Sequence, residues 1–383
     1  MLKYIDLFAG IGGFHEALNR IGDSSCVFAS EIDSNASDVY ELNHGVCPMG
    51  DITKIAVEDI PPFDLLCAGF PCQPFSKGGF QSGFEDVRGT LFFDIIRILD
   101  FHRPKYVLLE NVANLVSHDS GHTYSKIIIS LKKLGYFVPD NPIIISPHNL
   151  GIPVNRPRVF IPCALELSHY EQLNFEVPKM KYSSDYISDY FEFKDNNDPD
   201  LQLSKYEMDV LTMWDDFYRS TDLNVIGFPI WFDFFKSNNV DRSLPKWKVN
   251  FILKNIDFYN RNKVAIDNWM VKYDKLKWVN ASHRKFEWQC GLDCNSVFEG
   301  LIQFRPSGVR VKRLNYFSTL VAMNHPQIVG PLKRRLSTNE TKLLQSFGEE
   351  FKLHPSRSIA LKQLGNSVNV EVVKFVLEKL IQF

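Results

Sequence analysis

Short apolar runs alternate with helically spaced segments through the first 165 residues. Tyr4–Phe8, Val27–Ala29, Asp64–Ala68, Tyr106–Leu109 and Val159–Pro162 are runs of strand length. Between them, Phe14–Ile21, Leu91–Phe101 and Ile127–Leu134 carry apolar residues at helical spacing, and Gly135 marks the end of the last. Strands alternating with helices predict an α/β fold built on a doubly wound, mostly parallel sheet. Such sheets bind ligands beyond the carboxyl ends of their strands. The unusual residues fall at those ends: Gly10–Gly13, Glu31, Pro71-Cys72 and Glu110, where the fourth run stops at Glu110-Asn111. Near the C-terminus, Ser337–Phe347 and Val370–Ile381 read as helices, the first opened by a Ser337/Glu340 capping box.

The texture changes after residue 166. From Glu166 to Asp216 there are 13 acidic and 4 basic residues; from Lys236 to Lys285 there are 12 basic residues and 4 Asp. The basic stretch is interleaved with Trp247, Phe251, Phe258, Tyr259, Trp269, Tyr273 and Trp278. A solvated helical face with core aromatics is the plainer reading; beside a catalytic domain, the stretch is also a candidate phosphate-contacting surface. Arg305–Arg313 has four basic residues and no acid, and reads as a basic loop or edge strand. Two domains are expected: residues 1–165 with 335–383, and an inserted, smaller domain over 166–334.

Composition changes little in this picture. Of 383 residues, 45% are hydrophobic and 23% charged, with a net charge of -2, as in ordinary globular proteins. A near-neutral balance does not exclude a nucleic-acid enzyme, which need be basic only locally. The chain opens MLKYIDLFAG without a long apolar leader, and no run approaches the length of a membrane span, so no membrane partner is expected. Seven irregularly spaced cysteines predict free thiols in a reducing compartment. Cys26, Cys67 and Cys163 lie in apolar runs and read as buried; Cys290 and Cys294 form C-x3-C with no second pair, so no metal site is expected.

Two segments carry candidate chemistry. Phe8-Ala9-Gly10-Ile11-Gly12-Gly13-Phe14 follows a strand and opens a helix, and its glycines let a ligand approach the backbone. His15 breaks the dinucleotide pattern G-x-G-x-x-G, which weakens a dehydrogenase reading. Glu31, at the next strand end, suits ribose hydroxyls, so an adenosine ligand without a pyrophosphate remains open. In Gly69-Phe70-Pro71-Cys72-Gln73-Pro74-Phe75-Ser76, two prolines bracket a cysteine and restrict its backbone. That arrangement suits a nucleophile, although a small buried residue is the commoner fate of a free cysteine.

With these segments in hand, the chain resembles the cytosine-5 methyltransferase family. Phe8–Phe14 resembles its cofactor loop, Pro71-Cys72-Gln73-Pro74-Phe75-Ser76 its nucleophile motif, and Glu110-Asn111-Val112 its acidic motif. Asn155-Arg156-Pro157-Arg158 resembles its Gln-Arg-x-Arg motif, with Asn155 in place of Gln. Arg335-Leu336-Ser337 with Leu344-Gln345-Ser346-Phe347 resembles its ninth motif, Ser346 standing where glycine is common, and Gly365-Asn366-Ser367-Val368 matches its last. Six motifs in order are far more specific than any one. They span residues 1–165 and 335–383.

The resemblance implies S-adenosylmethionine as cofactor. Its site would comprise Phe8, Gly10, Ile11, Gly12, Gly13, Glu31, Ile32, Asp51, Ile52, Pro71, Asn366 and Ser367, with Glu31 on the ribose and Asp51 on the adenine amino group. A helix cap is the plainer reading of Asp51. It also implies a DNA (cytosine-5-)-methyltransferase that adds Cys72 to C6 of a flipped cytosine. Glu110 would hold the N3 edge, Arg158 would orient Glu110 or the base carbonyl, and Arg156 would support that loop or reach the DNA backbone. Ser76–Gly89 resembles the loop that closes over the base. Residues 166–334 stand where the family has its target recognition domain, with Ser76, Arg305, Arg310, Lys312 and Arg313 as DNA contacts. The implied partner is double-stranded DNA. The implied setting is a monomer in the bacterial cytoplasm, paired with a cognate restriction endonuclease. An RNA cytosine-5 methyltransferase and a non-catalytic DNA-binding member are the alternatives. The long insert disfavours the first, and Cys72, Glu110 and Arg158 together disfavour the second.

Overall fold

The computed structural model describes residues 1–71, 91–166, 168, 173, 175–179, 187, 198–222, 227–237, 240–320 and 327–381. Cys72, Ser76 and the expected loop over 76–89 lie outside them. In chain order the elements begin β1 (Leu2–Leu7), α1 (Gly13–Ile21), β2 (Ser24–Ser30), α2 (Ser34–His44), β3 (Leu65–Gly69), α3 (Leu91–His102), β4 (Tyr106–Val112) and α4 (His122–Lys133). Three strands follow, β5 (Ile143–Ile145), β6 (Val154–Asn155) and β7 (Arg158–Ala164). Next come α5 (Lys205–Ser220), β8 (Ile230–Trp231), α6 (Lys246–Arg261), α7 (Lys263–Lys272), β9 (Lys285–Gln289), β10 (Leu301–Arg305) and β11 (Gly308–Lys312). The chain closes with β12 (Phe317–Ser318), β13 (Ile328–Val329), β14 (Arg334–Arg335), α8 (Thr338–Leu344), α9 (Arg357–Asn366) and α10 (Val370–Leu380). No helix among the described residues is long and apolar enough to cross a membrane.

The chain divides into two compact units, Met1–Tyr186 with Ser318–Asn324 and Thr338–Phe383, and Ile187–Phe317 with His325–Ser337. The first holds a six-stranded sheet in the order β2-β1-β3-β4-β7-β5. β2, β1, β3 and β4 run parallel, whereas β7 is antiparallel to both β4 and β5. The sheet is therefore mixed at one edge. β4 also extends past Glu110 to Val112, because β7 continues to pair with it as far as Val112↔Arg158. Ile5, Leu7, Leu66, Ala68, Val107 and Leu109 face one apolar layer, packed against α3; Tyr4, Leu65, Cys67 and Leu108 face the other, filled by α1 and α10. Near-continuous apolar strands are what a sheet covered on both faces requires.

The helix expected over Ser337–Phe347 ends sooner, at Leu344. Ser346 adopts a left-handed backbone, φ 63°, which no helix tolerates, and its hydroxyl is held by the Asn369 amide at 3.0 Å.

The second unit has a six-stranded sheet, β14-β13-β10-β11-β9-β8. Its apolar face, with Phe286, Trp288, Ile302, Val309 and Val311, packs on Trp214, Phe217, Phe258 and Trp269 from α5, α6 and α7. The Trp214 and Phe286 rings stack at 4.7 Å. Arg305–Arg313 was expected as a basic loop or edge strand. It forms the β10–β11 hairpin, and β11 is interior, between β10 and β9. Val309 and Val311 alternate with Arg310 and Lys312, so one side of β11 is apolar and the other is polar.

Candidate active site

The loop after β1 is shaped by backbone conformation. Phe8, Gly10 and Gly12 take positive φ, 55°, 57° and 89°. For a bulky residue such as Phe8 that is uncommon and marks a strained position. The Gly10 N–H donates to Glu31 Oε2 and the Asp33 N–H to Glu31 Oε1, each at 2.8 Å. Glu31 is thus locked between the loop and the start of α2, and each of its oxygens keeps a lone pair for a further donor. A Cβ on Gly10 would meet nothing within 4 Å, so the backbone there borders open space. A Cβ on Gly13 would lie 2.5 Å from Val368 Cγ2 and 3.1 Å from Ser367 Oγ. Gly13 is therefore the residue that lets the C-terminal segment close on the loop.

Around this cradle the expected cofactor residues divide. Ile32 is 75% exposed, a bare apolar side chain beside Glu31. Asp51 caps a short 3-10 turn: Oδ1 accepts from Thr53 N at 3.1 Å and from its hydroxyl at 2.8 Å. Those bonds hold its carboxyl below the usual range and leave Oδ2, 3.6 Å from the Lys54 amine. Both readings of Asp51 are compatible. Ser30 Oγ donates to the Gly50 carbonyl at 2.8 Å and keeps this turn beside the end of β2. Ile11 and Ile52 are core residues, so only their backbone can face a ligand. Asn366 is exposed at the end of α9, Ser367 is buried and Pro71 is half-buried. The donor set fits S-adenosylmethionine. An open glycine backbone, a carboxylate with spare lone pairs for a diol and an exposed apolar face for a purine are all present.

On the other side, Glu110 is 8% exposed on β4. Burial pushes its carboxyl above the ordinary value, and Arg158 and then Arg156 pull it back. Arg158 Nε is 3.0 Å from Glu110 Oε1, and Gly69, at the end of β3, leaves its Cβ position 3.5 Å from Glu110 Oε2. A buried carboxyl raised in pKa, oriented by an arginine, can hold a proton for a ring nitrogen.

Of the two roles expected for Arg156, reaching the DNA backbone does not fit its place in the fold. Its side chain is buried, 3% exposed, so it does not reach a DNA backbone. Nη1 donates to the Leu320 carbonyl at 2.5 Å; Nη2 donates to the carbonyls of Gly365 at 2.7 Å and Ser367 at 2.9 Å. It staples the turn before β7 to the C-terminal segment at Gly365–Ser367. Two further residues lie inside quoted motifs but had no assigned role. Asn111 Nδ2 donates to the Phe70 carbonyl at 3.2 Å and so anchors the chain that enters Pro71-Cys72. Gln345 Nε2 donates to the Leu364 carbonyl at 2.6 Å and to that of Ser367 at 3.3 Å. A buried amide following the acidic residue was the available signal for Asn111.

In the second unit, Lys312 is only 7% exposed, with Nζ 3.6 Å above the Tyr316 ring centroid. Burial and the neighbouring Arg310 lower its pKa to about 8. It is not a free phosphate contact, because its ammonium is buried against the Tyr316 ring. Arg313 pairs with Asp293, and Arg305 and Arg310 both pair with Glu287. Much of the basic stretch is likewise engaged: Lys236 with Asp267, Arg261 with Asp222 and Asp257, and Lys272 with Asp216.

The family model described as C-5 cytosine-specific DNA methylase matches residues 2–382. The chain is 33% identical over 478 aligned positions to Type II methyltransferase M.AluI of Cellulosimicrobium cellulans, covering 98% of this chain and 91% of that one. It is 32% identical over 421 positions to Type II methyltransferase M.BanI of Aneurinibacillus aneurinilyticus, covering 100% and 96%. Among solved structures, a DNA modification methyltransferase encoded within an E. coli prophage superposes with a TM-score of 0.58 at 20% identity, covering 99% and 98% of the two chains. An Entamoeba histolytica methyltransferase, EhMeth, gives 0.57 at 17% identity over 99% and 98%; these two likenesses concern the fold. The glycine cradle and the buried Glu110–Arg158 pair thus stand in a chain that belongs to the C-5 cytosine-specific DNA methylase family, a DNA (cytosine-5-)-methyltransferase with S-adenosylmethionine as its methyl donor.

Proposed function

We propose that Cys72 is the nucleophile and that it adds to C6 of a cytosine flipped out of duplex DNA. The observation that carries this reading is the Glu110–Arg158 pair beside Gly69, at the strand end that leads through Pro71 into Cys72. The Cys72 thiolate forms the S–C6 bond while Glu110 holds the proton at N3, which moves the electron pair to C5 as an enamine. S-adenosylmethionine, when bound, supplies the methyl group that C5 takes up. Solvent water then takes the C5 proton, the C5–H pair becomes the C5–C6 double bond, and Cys72 leaves with the C6–S pair while the N3 proton returns to Glu110. Arg158 keeps Glu110 oriented. Glu31, Ile32, Asp51 and the Gly10 backbone hold the cofactor, and Arg156 and Gln345 keep the Gly365–Val368 segment closed over it.

Residues 1–165 with 335–383 form the catalytic part, and residues 166–334 the target recognition part. The enzyme modifies one short duplex site, acts as a monomer in the bacterial cytoplasm and protects DNA against a cognate restriction endonuclease. The test is transfer of labelled methyl from S-adenosylmethionine to unmethylated genomic DNA, with bisulfite sequencing of the product. Label at C5 within one motif, lost in Cys72→Ser, is expected. A folded, cofactor-binding protein that leaves DNA unlabelled would overturn the assignment.

A further inference from the structure

The second sheet has one face with no place in the chemistry above. Pairing of β9, β11 and β10 puts Glu287 opposite Arg310 and Arg310 opposite Gln303. By the same alternation Lys285, Gln289, Lys312 and Arg305 share that face, and β8 adds Trp231 opposite Lys285. The opposite face is the aromatic core, so this side is polar by design of the alternation.

Its centre is an arginine–carboxylate–arginine group. Glu287 Oε2 accepts from Arg310 Nε at 3.2 Å and from Arg305 Nη2, and Gln289 donates to Oε1. Burial opposes ionisation of Glu287, but Arg310 and Arg305 hold its carboxyl below the usual range. Arg305 and Arg310 are about a quarter exposed, so their guanidinium planes are confined yet reachable. Among the described residues, the Arg310 Nη groups have no hydrogen-bond partner, and Arg305 Nε and Gln303 Oε1 are buried without one. Toward β8 the face continues into Lys285, its Nζ 5.3 Å from the Trp231 centroid, and into a Trp231–Phe251–Trp247 series ending at Trp247, 58% exposed.

We propose that this face is the base-reading surface for duplex DNA, with Arg310 and Arg305 as guanine readers, Gln303 beside them, and Glu287 as the positioning residue that aims them. The proposal rests on the reading that the second unit recognises the target. Cations outnumber the single carboxylate, which matches a polyanion. A guanidinium already fixed by a carboxylate loses little freedom on making two parallel bonds to guanine O6 and N7. Phosphate contact needs no such orientation; a mobile exposed lysine does it as well.

The experiment maps modified sites by bisulfite sequencing after limited methylation of a randomised duplex library, and measures the salt dependence of DNA binding, for the wild type, Arg310→Lys, Arg310→Ala and Gln303→Ala. Arg310→Lys keeps the charge and loses the fork; Gln303 has no ion pair, so its truncation does not strip Glu287. We expect each variant to relax one position of the motif, with discrimination against the wrong base falling about tenfold to a hundredfold. The salt dependence of DNA binding should stay as in the wild type. A wild type with a sharp motif whose variants keep that motif overturns this proposal alone. So does a uniform weakening in Arg310→Ala with the salt slope reduced by about 1, the mark of a phosphate contact. A wild type that leaves the library unmodified overturns the recognition reading as well.

Discussion

At the scale of single residues, what matters is how burial and partners set protonation. Glu110 is held above its ordinary value by burial, and Arg158 is the larger of two charges opposing that. Removing Arg158 therefore moves the Glu110 carboxyl further up. If Glu110 works in its protonated form, the basic limb of kcat/KM should shift to higher pH in Arg158→Ala. The rate at the optimum should fall by roughly 10²–10⁴, the usual worth of a positioned acid. A pH–rate series checks both; a limb that stays or moves to lower pH would remove Glu110 as the proton holder. Lys312 shows the opposite sign. Its value is depressed to about 8 from 10.5, so folding favours the neutral amine. That contribution is present above pH 10.5 and is lost as pH falls through about 8. Lys312→Met should therefore raise Tm at pH 7, and the gain should shrink to nothing by pH 10.5. A constant gain across that range would point to packing instead of charge.

At the scale of elements, the glycine loop after β1 and the segment after α9 are fitted to each other. Gly13 has no room for a side chain against Val368 and Ser367, whereas Gly10 faces open space. Gly13→Ala should destabilise by about 1–3 kcal/mol, the cost of overpacking, and should weaken S-adenosylmethionine binding in calorimetry. Thermal stability and affinity equal to the wild type would show that the segment can move aside freely. Ser346 belongs to the same fit: its left-handed backbone turns the chain after α8, a position at which glycine carries no steric penalty. Arg156 and Gln345 then satisfy the carbonyls that this irregular segment leaves buried.

At the scale of the whole molecule, the C-terminus completes the first unit. α10 buries Val370, Val372, Val373, Val376, Leu377 and Leu380, packed in the same core as Phe14, Ala17 and Leu18 of α1. At about 1.5–3 kcal/mol for each fully buried side chain, the helix contributes on the order of 10 kcal/mol. That is comparable with the whole stability of a typical domain. A chain cut before Val370 should fail to fold, read as loss of the cooperative thermal transition; a cooperative Tm within a few degrees of the intact protein would refute this. The opposed charge blocks of the second unit also act at this scale. Lys272 with Asp216 and Arg261 with Asp222 engage, within the unit, cations that the charge pattern alone left as candidates for DNA phosphates.

The apolar periodicity of residues 1–165 determined the alternating elements, because strands buried on both faces must be apolar throughout, and the punctuation by Gly10–Gly13, Pro71 and Glu110-Asn111 marked their ends. The ordered motifs likewise determined the chemistry, since a nucleophile, a carboxyl and an arginine are identified by type. Only the tertiary structure decided which of these side chains meet. It turned β7 antiparallel to β4 and so set Arg158 on Glu110, and it buried Arg156 against three carbonyls. It also drew Lys312 inward while leaving Arg310, two residues earlier on the same face, about a quarter exposed. Sequence spacing specifies which face of a strand a residue takes. What covers that face, and which opposite charge lies across it, comes from residues distant in the chain, and so appears only once the chain has packed.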